Sequence, residues 1–165
     1  MNPKRLFLSV ALLSLVLQVV DALLSIAFAL PAQVAFGDRP TAPADATPAL
    51  VAEEFLTKGT ALAPPLALMI AFAVFLLLAS RKRIVGVIGT VLLVALSVLF
   101  TAATIGEYAN PDRFPGFPGG VYLALLIVNS LVIAGVIVLG IASLVRRRPA
   151  ETAAAEPAPL AGVRL

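Results

Sequence analysis

Four stretches of the chain hold almost nothing but Leu, Val, Ile, Ala and Phe: about Leu6–Leu30, Thr60–Ser80, Ile84–Ile105 and Val121–Val145. Each is long enough to cross the ~30 Å of a bilayer's hydrocarbon at ~1.5 Å per residue. A segment in hydrocarbon must satisfy its own backbone polar groups, so each run predicts a transmembrane helix. Pro64 and Pro65 fall near the start of the second run, where a first helical turn tolerates proline, and its helix proper is expected from near Ala63. The expected fold class is an all-α membrane protein. Residues 1–148 form an antiparallel bundle of four transmembrane helices with outer loops at 31–59 and 106–120, and residues 149–165 form a disordered cytoplasmic tail.

The polar positions inside the runs keep helical spacing. Ser14, Gln18, Asp21 and Ser25 recur at three- and four-residue steps and share one face of the first helix. Gly86, Thr90, Ser97, Thr101 and Thr104 do the same in the third, with Leu93 filling the gap. In the fourth, Tyr122, Asn129 and Ser143 lie on one heptad line and Gly140 shares their face. Lipid cannot hydrogen-bond such residues, so these stripes are expected to face one another inside the bundle. The second run has no polar residue between Ala61 and Ala79; its Ala63, Ala67 and Ala71 form a small-residue seam suited to close helix contact.

Counted from the outer ends of their runs, Asp21, Ser97 and Asn129 share one level, ~12–13 Å below the outer boundary. Asp21 is the only charged residue between Leu6 and Leu30, and no Lys, Arg or His lies in any run, so it has no cation at its own depth. Asn129, with Gln18 or Ser97, is its expected hydrogen-bonding company. Gln18, Asp21, Ser25, Ser97, Thr101 and Asn129 make up the candidate intramembrane polar site. Thr104, Glu107 and Tyr108 continue the line outward as the mouth of a vestibule.

The first outer loop contains "TPALVAEEFLTKG", residues 47–59, which reads as a short helix with Thr47 as cap, Pro48 in first position and Gly59 as stop. Glu54 and Lys58 are spaced to pair on it. It is expected to lie on the outer leaflet or the bundle, or to act as a lid or docking element. The second outer loop, "GEYANPDRFPGFPGG", is a run of tight turns. Tyr108, Phe114, Phe117 and Tyr122 around it suit a membrane–water boundary, or contact with a ligand.

Charge sets the direction. Lys4 and Arg5, then Arg81, Lys82 and Arg83, then Arg146, Arg147 and Arg148 all fall at one end of an even-numbered bundle. At the other end Arg39, Lys58 and Arg113 are outnumbered by acidic residues. Basic residues in short connections stay cytoplasmic, so both termini are expected inside and both long loops outside. Arg81, Lys82, Arg83, Arg146, Arg147 and Arg148 are placed to contact anionic lipid headgroups, at ~1 kcal/mol per charge. A cleavable leader competes for the first run, because "MNPKR" precedes it and Ala27-Phe28-Ala29 has a small-x-small pattern. The length of the run, Asp21 within it and Pro31 just beyond it favour a retained helix.

Composition agrees and narrows the chemistry. Hydrophobic residues make up 61% and charged ones 13% of the 165, against about a quarter charged in soluble domains, and mean hydropathy is +1.05. The chain has no Cys and no His, which removes thiol, disulfide and imidazole chemistry and His/Cys metal sites. No catalytic residue, metal ligand set or cofactor motif is evident, and an enzyme is not expected. The net charge of +3 sits in short clusters, so nucleic acid is not an expected partner. The excess of Arg over Lys and the abundant Ala point to a bacterial inner membrane, with the chain a multi-pass protein of the cell membrane.

Four spans with an acidic residue in the first are similar to the topology of small multidrug transporters. Those proteins use Glu where this chain has Asp21, and they have tight loops and Trp, which this chain lacks. The long first outer loop is similar to that of claudins and tetraspanins, without the cysteines that staple theirs. Neither likeness assigns a family. The expected function is that of an accessory or binding/assembly protein of the bilayer with a polar outward-facing vestibule, able to meet a basic residue of a membrane-protein partner through Asp21. The alternative is a proton- or cation-coupled transporter working as a homo-oligomer through Asp21.

Overall fold

The computed structural model describes residues 3–32, 41–107, 114 and 116–145, with 105–107 as backbone alone. Among these, regular structure is helical, with no strand: α1 (Pro3–Ala27), α2 (Pro48–Phe55), α3 (Leu66–Ser80), α4 (Arg83–Glu107) and α5 (Gly119–Val145), plus one 3₁₀ turn at Pro43–Asp45. α1, α4 and α5 are long and apolar enough to cross a membrane. α3 is equally apolar but has 15 residues, or ~22 Å.

The second run therefore differs from expectation: its helix starts at Leu66, not near Ala63. Two adjacent prolines explain this. Pro65 pushes Pro64 out of the helical region, and neither can donate a backbone bond. Pro65 is instead the cap, its carbonyl accepting from Leu68 N (2.9 Å) and Met69 N (3.2 Å). Residues 60–65 fold into a tight buried loop. Thr60 N donates to Ala63 O at 2.8 Å, Ala63 N donates to Thr60 Oγ1 at 3.0 Å, and Ala61 N reaches Leu30 O at 3.2 Å. Gly59 enters this loop with φ +89°, and a Cβ there would lie 2.9 Å from Ala63 O and Pro65. Only glycine meets both demands.

α1 also stops before the end of its run. Leu30 N donates to Ser25 O (2.8 Å) and Ala29 N to Ile26 O (3.2 Å), with Ala29 at φ 51°. This is a Schellman end, with Ala29 in the left-handed position at a cost of ~1–2 kcal/mol. Pro31 then prevents the helix from resuming, and Leu30 turns in to be fully buried.

α1 packs chiefly on α5, α5 on α4, and α4 on α3, while α3 closes more lightly on α1, and α2 lies against α1. Only Arg81 and Lys82 separate α3 from α4. Lys4 donates to the carbonyls of Ser80 (3.1 Å) and Arg81 (2.7 Å), which places the start of α1 beside this link. A cation over the last carbonyls of a helix satisfies them and offsets its dipole. A close helix approach is also here, where a Cβ on Gly89 would run into the backbone of Ala79 and Leu78. The alanine seam expected on the second helix is not the close contact. Ala67 is exposed, Ala71 is half-buried, and Ala63 belongs to the loop.

Two apolar clusters fill the interior. One gathers Phe7, Phe72, Leu93, Phe100 and Val136, with the Phe72 and Phe100 rings stacked at 5.9 Å. The other gathers Leu30, Leu62, Phe114, Tyr122 and Leu126 under the outer loops, with Phe114 edge-on to Tyr122 at 5.3 Å. The outside of the molecule is also apolar: Leu12, Leu23, Ile70, Leu77, Leu131 and Val138 are exposed. A soluble monomer does not carry apolar surface on every long helix, and a protein solvated by lipid does.

Candidate functional site

The polar face of α1 turns inward along its length: Ser14, Gln18, Asp21 and Ser25 are all buried. So are Thr90 and Ser97 of α4 and Tyr122 and Ser143 of α5. Asn129, half-buried on α5, donates from Nδ2 to Asp21 Oδ2 at 2.5 Å. This bond joins α1 to α5 across the interior.

The other polar residues divide differently from expectation. Gln18 does not bond to Asp21; its Nε2 donates to Ser14 Oγ at 3.3 Å, one turn back on the same helix. Its Oε1 is buried without a partner, as is Ser25 Oγ. On α4, Ser97 donates to Leu93 O (2.8 Å), Thr101 to Ser97 O (3.0 Å) and Thr104 to Phe100 O (2.8 Å). A hydroxyl in an apolar helix finds its nearest acceptor one turn back. These three are therefore satisfied within α4, and no hydrogen bond joins Ser97 or Thr101 to Asp21.

A cavity opens beside the Asn129–Asp21 pair, with about 70 Å³ open to the centres of water molecules. Gln18, Phe100, Thr104 and Asn129 form its helical walls, and Lys58 with residues 60–65 covers it from the loop side. Asn129, not Asp21, is the wall residue. The loop contribution was not foreseen. The paired prolines signal an irregular start to α3, but no periodicity says that such a segment folds over the polar site. Of the expected mouth, Thr104 lines the cavity, whereas the Glu107 side chain and Tyr108 lie outside the described residues. Arg146, Arg147, Arg148 and residues 149–165 also lie outside them. Arg81, Lys82 and Arg83 are exposed at the α3–α4 link.

α2 forms as its sequence requires. Thr47 Oγ1 accepts from Leu50 N at 3.3 Å, and Pro48 follows in first position. Its buried Glu54 accepts at Oε1 from both Lys58 Nζ and Thr41 Oγ1, each at 2.8 Å. Burial pushes the Glu54 carboxyl up, but hydrogen bonds from Lys58 and Thr41 and the charge of Lys58 outweigh it and hold the group below its ordinary value. A carboxyl depressed on folding stabilises the protein above its unfolded value and loses that effect as pH falls through the folded one. Thermal unfolding of wild type and Glu54→Gln should therefore differ by a constant amount near neutral pH, and the difference should shrink as pH falls through the lowered folded-state value of Glu54. A gap that persists in acid would mean that the pair contributes nothing through charge.

Among the described residues no group of three acidic side chains is placed to hold a metal ion. No family model matches the chain, and neither a curated protein nor a solved structure matches it.

Proposed function

We propose that this chain is a multi-pass membrane protein of accessory or binding type, whose working part is an outward-facing polar vestibule floored by Gln18 and Asn129. Three helices long and apolar enough to span are consistent with the membrane setting. The vestibule reading rests on one observation, a cavity walled by polar residues of α1, α4 and α5 and roofed by Lys58 and residues 60–65. Irregular backbone at the edge of a membrane is tolerated where it is buried in protein or lines a cavity, and this segment is largely buried and lines the cavity.

The contact of Lys4 with the α3–α4 link gathers Lys4, Arg5, Arg81, Lys82 and Arg83 at one end, opposite the cavity. By the preference of basic residues for the cytoplasmic side, that end faces in, meets anionic lipid, and leaves the cavity facing out. In this reading α3 crosses too, as the second span in chain order, its short helix extended by the loop above it.

Asp21 is 1% exposed and sits behind Asn129. A ligand entering the cavity meets Asn129 first, which favours binding over proton carriage by the carboxyl. The orientation is tested by single cysteines in a chain that has none. Cysteines at Ala44 and Gly116 should react with a membrane-impermeant reagent in intact cells, and one at Ala154 should not. The reverse pattern would turn the vestibule inward and overturn the reading.

A further inference from the structure

We infer that the vestibule binds a small neutral alcohol, its hydroxyl seated on Asn129 and its short hydrocarbon chain against Phe100, Leu126 and Ile133; this rests on the proposed outward-facing vestibule and names the class of its occupant. Asn129 supplies the polar anchor. Its Nδ2 gives one N–H to Asp21, and the half-buried amide keeps its second N–H and its carbonyl oxygen on a residue that lines the cavity. An occupant displaces water from this amide and binds well only by replacing its hydrogen bonds. A hydroxyl both donates and accepts, whereas an ether oxygen only accepts and an ammonium only donates. The other polar groups around the cavity add little. Gln18 is 4% exposed; one N–H goes to Ser14, the second is a further donor, and Oε1 is buried out of an occupant's reach. Thr104 gives its proton to Phe100 O. In the loop, Thr60 and Ala63 bond to each other, and Ala61 is held by Leu30 O and the Tyr122 hydroxyl. Pro64 and Pro65 have no N–H to offer.

Charge and size favour a neutral occupant. An ion that leaves water for a largely apolar cavity needs an opposite charge in contact with it. Lys58 brings a cation to the roof, but Glu54 Oε1 lies 2.8 Å from its Nζ and offsets it. Asp21 is 1% exposed and stands behind Asn129, off the cavity wall. Neither an ammonium nor a carboxylate therefore finds an uncompensated counter-charge on the wall. Phe100, Leu126 and Ile133 are buried apolar residues that line the cavity and suit a hydrocarbon chain. An open volume of about 70 Å³ holds about five waters, and n-butanol matches that number in heavy atoms.

The test uses Ala103→Cys, a cavity-lining position outside the proposed contacts, in the full chain reconstituted outside-out. The cysteine is labelled with a small membrane-impermeant thiol reagent while n-butanol, its isomer diethyl ether, n-butylammonium or butyrate is present. The expected result is labelling that n-butanol slows about tenfold at saturation, that diethyl ether slows less, and that both ions leave unchanged. Ala44→Cys, exposed and away from the cavity, should label at one rate throughout. Adding Asp21→Leu with Asn129→Leu removes the anchor without stranding its partner, and should erase the preference for n-butanol over diethyl ether. The isomer comparison needs no change at Asn129, so it decides the alcohol even where the double replacement does not fold. Labelling that n-butanol leaves unchanged, or that diethyl ether or either ion slows equally, would overturn the alcohol and leave the vestibule standing. Slowing shared by Ala44→Cys, or a preference that survives loss of Asn129 in the folded double variant, would overturn it too. No labelling of Ala103→Cys from outside would overturn the vestibule and the alcohol together.

Discussion

Asp21→Leu is expected to lower the stability of the purified protein by about 1–3 kcal/mol, read as a fall in thermal midpoint in detergent, whereas Asp21→Asn should stay near wild type. Leucine leaves Asn129 Nδ2 facing a side chain that cannot accept, and Asn129 is only half-buried, which bounds the loss. Asparagine is nearly the same shape and still offers an oxygen. The double replacement Asp21→Leu with Asn129→Leu should cost less than the sum of the single changes, because removing both partners leaves nothing unsatisfied. If Asp21→Leu matches wild type, the pair holds nothing together. The same variants also separate the functional readings. If Asp21→Asn folds normally but abolishes proton or cation movement in proteoliposomes, Asp21 is a carrier and the homo-oligomeric transporter is the better account. If it weakens only the recovery of a membrane partner, Asp21 pairs with a basic residue of that partner.

Gly89→Ala should destabilise the bundle by about 1–3 kcal/mol, the cost of overpacking, although Ala is the better helix former by ~1 kcal/mol. The sign is the informative part. At a lipid-facing glycine the substitution should stabilise. At Gly89 the new methyl would meet the backbone of Ala79 and Leu78, which no rotamer change can relieve, so α3 and α4 would have to separate. Ala67→Leu is the control. Ala67 is exposed, and the larger side chain should be tolerated within ~0.5 kcal/mol. Thermal midpoints in one detergent decide between these outcomes. Equal tolerance at both positions would mean that the α3–α4 approach is not tight.

Much of the helix content could be read directly from the chain. Leu- and Val-rich runs leave few choices in hydrocarbon, and a stripe such as Ser14, Gln18, Asp21 and Ser25 has one side on which it can be satisfied. Local chemistry was equally legible at the start of α2, where Thr47 and Pro48 act within a few residues of their own position, although the helix ends at Phe55 and not at Gly59. The reading weakened wherever two elements had to be set against each other. Ala63, Ala67 and Ala71 have the spacing of a contact seam, but spacing gives no rotation of a helix about its axis, and packing turned Ala67 outward and brought Gly89 against Ala79. Gln18 or Ser97 was expected to reach Asp21, but the Gln18 amide found Ser14 one turn away and the Ser97 hydroxyl found Leu93 O.

The sequence alone determined the helices, their apolar outer surface and the inward direction of the polar stripes, because these follow from the backbone's need for hydrogen bonds and the period of the helix. Tertiary structure alone decided that Asn129 meets Asp21, that Gln18 keeps an unpaired oxygen, and that Lys58 and residues 60–65 close over a cavity. Those contacts join residues far apart in the chain, and their formation depends on the relative height and rotation of packed helices, which no local pattern encodes.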